Sequence, residues 1–99
     1  SPLSDSFKVY VIEIWNDEER FIKIGKTFHS IRRRFGGGNS TLMPYNYRVI
    51  EIVEGSALFI SKLEIKLHQQ LMNDRYTPNI AFKGMYECFT IEALNKMKK

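Results

Sequence analysis

Two apolar stretches separated by four polar residues, FKVYVIEIW (7–15), NDEE (16–19) and RFIKIG (20–25), constrain the fold of this chain more than any other feature. Both stretches are rich in β-branched and aromatic residues, which suit a pleated, half-buried surface. The first is apolar on both alternating sets of residues, as expected of a central strand covered on two faces. The polar insert has the length of a reverse turn, so the opening predicts a β-hairpin. With the turn at residues 16–19, Trp15 faces Arg20, Ile12 faces Lys23 and Tyr10 faces Gly25. Tyr10 and Lys23 then become diagonal neighbours on one face, with open space opposite the phenol where Gly25 has no side chain. Spacing alone favours the plainer reading of that pair, a half-buried strand aromatic and a surface lysine.

The remaining pattern predicts an α+β chain. After the hairpin, a short helix capped by Thr27 or Ser30 would place Ile31 and Phe35 on one face and end at Gly36. YRVIEIV (47–53) reads as a third strand. Ser56 is the expected N-cap of a longer helix whose apolar stripe is Ile60, Leu63, Leu67 and Leu71. NDRYTPN (73–79) reads as loop and GMYECF (84–89) as a short strand, and Thr90 would cap a last helix carrying Ile91, Leu94 and Met97. A length of 99 residues with 43% hydrophobic content supports one core, hence a single domain over 7–99 preceded by a disordered segment or expression remnant at 1–6. Cys88 is the only cysteine, which excludes an internal disulfide staple. Charge interrupts every apolar run, which argues against a signal peptide or membrane span, and the chain reads as cytoplasmic.

The net charge of +4 is modest, but its distribution is uneven. Between Lys23 and Arg48 the basic residues Lys23, Lys26, Arg32, Arg33, Arg34 and Arg48 occur without one Asp or Glu, a pattern suited to a polyanion. Arg34 falls three residues after Ile31 and just before Phe35, beside the expected apolar stripe; a guanidinium held there can grip two phosphate oxygens. Glu64 falls four residues after Ile60 and three before Leu67, on a face that should be apolar. A carboxylate in that position needs a partner, either His68 one turn on or a divalent cation.

Taken together, VYVIEI, FIKIGKT, SIRRRF, LEIKLH and GMYECF, in that order, resemble the GIY-YIG nuclease superfamily over roughly residues 7 to 89. Tyr10 matches the tyrosine of the first signature and Ile24-Gly25 the end of the second. The first signature lacks its glycine, and Lys23 stands where many members have tyrosine, a variant similar to a phage-associated branch. The resemblance implies a small domain with a central three-stranded antiparallel sheet flanked by helices, and a DNA endonuclease using one Mg²⁺ or Mn²⁺. Glu64 would hold the metal, Tyr10 would take a proton from the attacking water with help from Lys23, and Arg34, or Arg33 in its place, would stabilise the transition-state charge. Lys26, Arg32, Arg33 and Arg48 are the expected DNA contacts. Gly25, His29, His68, Asn79 and Glu87 are the supporting candidates, Asn79 as the superfamily's late asparagine. The alternative is a nucleic-acid-binding module of the same fold that has lost cleavage. No separate DNA-reading motif is visible, so specificity would come from another domain or partner, and double-strand cutting from a homodimer. No membrane role is expected.

Overall fold

The computed structural model describes residues 6–28 and 43–97. The hairpin forms as its sequence predicts, with β1 (Phe7–Trp15) antiparallel to β2 (Arg20–Thr27) and Trp15 opposite Arg20. Asn16 holds the turn: its side-chain oxygen accepts from the backbone N–H groups of Glu18 and Glu19 at 2.8 and 3.0 Å. This is the local bonding that makes asparagine a turn residue. β3 (Asn46–Gly55) pairs with the other side of β1 across a bulge between Val11 and Ile12.

Among the described residues the sheet has four strands in the order β3-β1-β2-β4, which corrects the expected three. The fourth, β4 (Cys88–Thr90), pairs with Phe21, Ile22 and Lys23 of β2. Without it those residues, all buried, would leave strand N–H and C=O groups unsatisfied in the interior. The stretch GMYECF is therefore divided, since residues Met85–Glu87 form a 3₁₀ turn and only the end is strand. Thr90, expected to cap the last helix, instead ends β4, and that helix spans only Ala93–Met97 (called α2 below).

Period-two alternation sends β1 and β2 side chains to two cores. Tyr10, Ile12, Ile14, Phe21 and Cys88 pack with Met43 and Tyr45 on one face. Val9, Val11, Ile22, Ile24 and Phe89 pack on the other, under Ile60 and Leu71 and under Ala93 of α2. Ile60 belongs to α1 (Ala57–Gln70), capped as expected by Ser56, whose hydroxyl accepts from the Phe59 N–H at 3.2 Å. The expected stripe holds: Leu63 and Leu67 join Ile60 and Leu71 against the sheet. β3 is an edge strand, and Val49, Ile50 and Ile52 are exposed despite their apolar character.

The segment read as loop after α1 is partly ordered by hydrogen bonds. A 3₁₀ turn spans Met72–Asp74, Arg75 bridges to Phe89, and the Tyr76 N–H donates to the Cys88 carbonyl at 3.0 Å. Thr27, offered as a helix cap, is the last residue of β2. The helix expected after it, with His29, Ser30, Ile31, Arg32, Arg33, Arg34, Phe35 and Gly36, lies outside the described residues. No helix among the described residues is long and apolar enough to cross a membrane.

Candidate functional site

The register places Tyr10 opposite Gly25 and Ile12 opposite Lys23, so the phenol and the lysine do share a face. Their environment differs from the plainer reading: Tyr10 and Lys23 are both 0% exposed. A buried ammonium is tolerated only when its donors are matched. Lys23 Nζ donates to Tyr10 Oη at 2.6 Å and to Glu87 Oε1 at 2.7 Å, and it lies 4.9 Å from the Tyr10 ring centroid. Because an ammonium only donates, Tyr10 accepts in this bond, and the phenol proton points elsewhere.

Two glycines make the space. A Cβ on Gly25 would lie 2.5 Å from Tyr10 Oη and 2.9 Å from Lys23 Nζ. One on Gly84, whose φ is +90°, would lie 2.7 Å from Lys23 Cε. Gly84 thus serves twice, allowing the left-handed backbone that starts the Met85–Glu87 turn and clearing the lysine stem.

That turn also decides where the two faces of the sheet meet. β4 pairs no further along β2 than Lys23, and preceding residues turn aside rather than continue toward Ile24 and Gly25. Past this point the Ile24 carbonyl is taken up by His68 of α1, at 2.9 Å from Nε2. A carbonyl cannot donate, so Nε2 carries the proton. Edge-to-face contact with Phe89, at 5.2 Å between centroids, fixes the ring further. Around this open edge Glu64 and His68, from the α1 side, approach Glu87, whose carboxylate holds Lys23 of the Tyr10 face.

Glu64 is 8% exposed, as its place on the apolar stripe predicts. Its Oε2 is 4.0 Å from His68 Nε2 and its Oε1 is 3.9 Å from Lys26 Nζ. Neither is a hydrogen-bond distance. Oε2 is buried and has no hydrogen-bond partner among the described residues. Burial, and next the Glu87 carboxylate, push the Glu64 carboxyl above its ordinary range against the opposing pull of His68, Lys26 and Lys23. Ligand atoms of Glu64, His68 and Glu87 lie within 4.8 Å of one another. The donor set suits a hard divalent cation through its two carboxylates, and such an ion would satisfy the orphaned oxygen. His68 joins the set through Nε2 only by releasing Ile24.

No family model, curated protein or solved structure matches the chain. The functional reading therefore rests on the residues themselves.

The other expected residues are placed differently. Lys26 is half exposed beside Ser61 and Glu64. Arg48 donates to Glu13 Oε1 at 2.7 Å, and Arg20 pairs with the same carboxylate. Burial would raise the Glu13 carboxyl, but hydrogen bonds and charge from these two arginines outweigh it and hold it below the ordinary range. Among the described residues of the acid-free run, each cation thus faces an acid from outside it, Glu87 for Lys23, Glu64 for Lys26 and Glu13 for Arg48. Asn79 is not brought to the site; its backbone N–H bonds to Glu19, at the turn end of the hairpin, far along β2 from Gly25. The Glu19 carboxylate also accepts from Tyr45 and Tyr76, tying the segment after α1 to the hairpin. His29, Arg32, Arg33 and Arg34 lie outside the described residues.

Sequence reasoning missed Arg75. It follows the acid Asp74 in a stretch that looked like loop, and nothing in its spacing points to the site. It lines a cleft together with Glu64 and His68, and among the described residues no carboxylate pairs with it.

Proposed function

We propose that this protein is a divalent-metal-dependent DNA endonuclease of the GIY-YIG type. The observation that carries the reading is the buried Lys23 ammonium, held between Tyr10 and Glu87 beside the unsatisfied Glu64 oxygen. A core lysine with no chemical task is costly compared with an apolar residue of similar size, whereas a phosphodiesterase needs a cation close to its base and metal.

Tyr10 is the base. With the Lys23 ammonium as counter-charge, its phenol oxygen takes a proton from the attacking water as its own proton is passed on to solvent, while the water oxygen bonds to phosphorus and the P–O bond to the leaving group breaks. Lys23 keeps the phenol oxygen in place throughout. Glu64 and Glu87 are the residues that would hold Mg²⁺ or Mn²⁺, which when bound supplies Lewis-acid stabilisation of phosphate and leaving-group charge. His68 positions the helix carrying Glu64 by gripping the Ile24 carbonyl. Arg34, or Arg33 in its place, is assigned the remaining transition-state charge. Lys26 and the Arg20–Arg48 pair, which carries net positive charge even with Glu13, would contact backbone phosphates.

Incubation of supercoiled plasmid with the protein in Mg²⁺, Mn²⁺ or EDTA tests this, beside a Glu64→Ala variant shown to be folded. Metal-dependent nicking, absent in the variant, is the expected result. Nicking that survives in Glu64→Ala, or none in the parent with any cation, would sink the reading. Salt-sensitive binding without cutting would point instead to the binding module.

A further inference from the structure

Next to Glu64 and His68 a cleft of about 260 Å³ opens between α1, the Met72–Asp74 turn and β4. Its chemistry differs from that of a phosphate groove. Ile65 and Met72 line it while 56% and 59% exposed, Phe89 lies against His68, and Arg75 contributes a guanidinium that donates to the Tyr86 carbonyl at 3.1 Å. Tyr86, tethered by that bond, is 77% exposed. Large apolar side chains in water, beside a guanidinium that no carboxylate among the described residues pairs although Glu64 also lines the cleft, suit a ligand that is flat and apolar at one end and anionic at the other.

An unpaired nucleotide has that form. We infer that this cleft binds a nucleotide lying outside a base-paired stack, its base against Ile65 and Met72 and its phosphate at Arg75. Bases of an intact duplex are turned inward and stacked, so they cannot lie on such a surface, whereas single strands offer free ring faces. The cleft shares Glu64 and His68 with the proposed catalytic centre, so the bound nucleotide would flank the cleaved bond. This rests on the nuclease reading for its meaning in catalysis, but binding itself can be measured separately.

The test is fluorescence anisotropy in EDTA with a short labelled DNA of mixed sequence, presented as a single strand and as a blunt duplex at equal salt. The single strand should bind about tenfold more tightly than the duplex, the scale of burying part of a large apolar side chain under a free base. Ile65→Glu and Met72→Glu, both at exposed positions and each verified by its unfolding midpoint, should abolish that preference. Arg75→Gln should reduce the slope of log affinity against log salt by about 0.7 for the single strand. Equal affinity for the two DNA forms, or a preference that persists in both glutamate variants, overturns the inference. If plasmid nicking fails but the preference and its loss in the variants are seen, the cleft stands and the nuclease reading falls. If the plasmid is nicked and no single-strand preference is found, the nuclease reading stands and the cleft falls.

Discussion

Replacing Gly25 with alanine tests the geometry of the site most directly, because one methyl group enters the space between Tyr10 and Lys23. No positive φ is required at Gly25, so alanine fits the backbone, and loss of unfolded-state freedom alone would stabilise the chain by about 0.4–1 kcal/mol. Against that, the new Cβ would fall 2.5 Å from Tyr10 Oη, 2.7 Å from Tyr10 Cζ and 2.9 Å from Lys23 Nζ. Ordinary contacts begin near 3.4 Å, so the phenol must retreat by nearly an ångström, yet Tyr10 is fully buried. Overpacking of a rigid core costs about 1–3 kcal/mol. The clash should win, leaving a net loss of about 1–2 kcal/mol and, for a domain of this size, a fall in Tm of about 4–8 °C per kcal/mol. If Tyr10 is the base proposed above, a displacement of that size should also slow nicking about 100-fold. Denaturant midpoints with unchanged m-values would read the stability, and plasmid nicking the rate. Adding Tyr10→Phe should lessen the stability loss only in part, since the contact at Cζ remains. If Gly25→Ala is as stable as the parent, Tyr10 and Lys23 do not converge on this glycine, and the proposed site is wrong in its central feature.

Two further outcomes concern titration. The folded-state carboxyl of Glu64 is raised above its unfolded value, so its favourable contribution exists below the unfolded value near 4.5 and is lost as pH rises through the folded one. In EDTA at neutral pH, Glu64→Gln should therefore be more stable than the parent, with the gap closing in acid. Mn²⁺ should raise the parent's Tm and leave the variant's unchanged, and a destabilised Glu64→Gln would contradict the burial argument. At the alkaline end, Tyr45 is pushed up to about 12 by burial and Glu19, and Tyr76 to about 12 by its bond to Glu19 and burial. Stability present below pH 10 should thus decline between pH 10 and 12 as the unfolded tyrosines ionise first, and Tyr76→Phe should lessen the decline in pH-dependent unfolding curves.

Features set by neighbours along the chain were legible in the sequence. The hairpin register followed from a turn of fixed length, the α1 cap from Ser56, and the anomaly of Glu64 from helical spacing. What remained hidden depends on partners far apart. Spacing alone read Lys23 as a surface residue, although the resemblance set it beside Tyr10, because Glu87, which makes its burial tolerable, lies 64 positions away. Arg48 read as a DNA contact because Glu13 is 35 positions distant. β4 was hard to delimit because its three residues owe their strand conformation to the edge of β2, and a turn occupies the rest of the same apolar stretch. The match of Asn79 rests on counting from Glu64, but distance along a looped segment says little about where its backbone is anchored.

The brevity of β4 has a consequence for how such a site could be lost. Glu64 of α1 and Glu87, which holds Lys23 beside Tyr10, approach each other around the end of β4, because the outermost strand is a fence that stops short. One more residue pair on that fence would place a peptide group where His68 now reaches Ile24. An insertion before Cys88 that lengthened β4 would therefore displace His68 from Ile24 and carry Glu87 out of its turn, dismantling the cluster without replacing one of its residues.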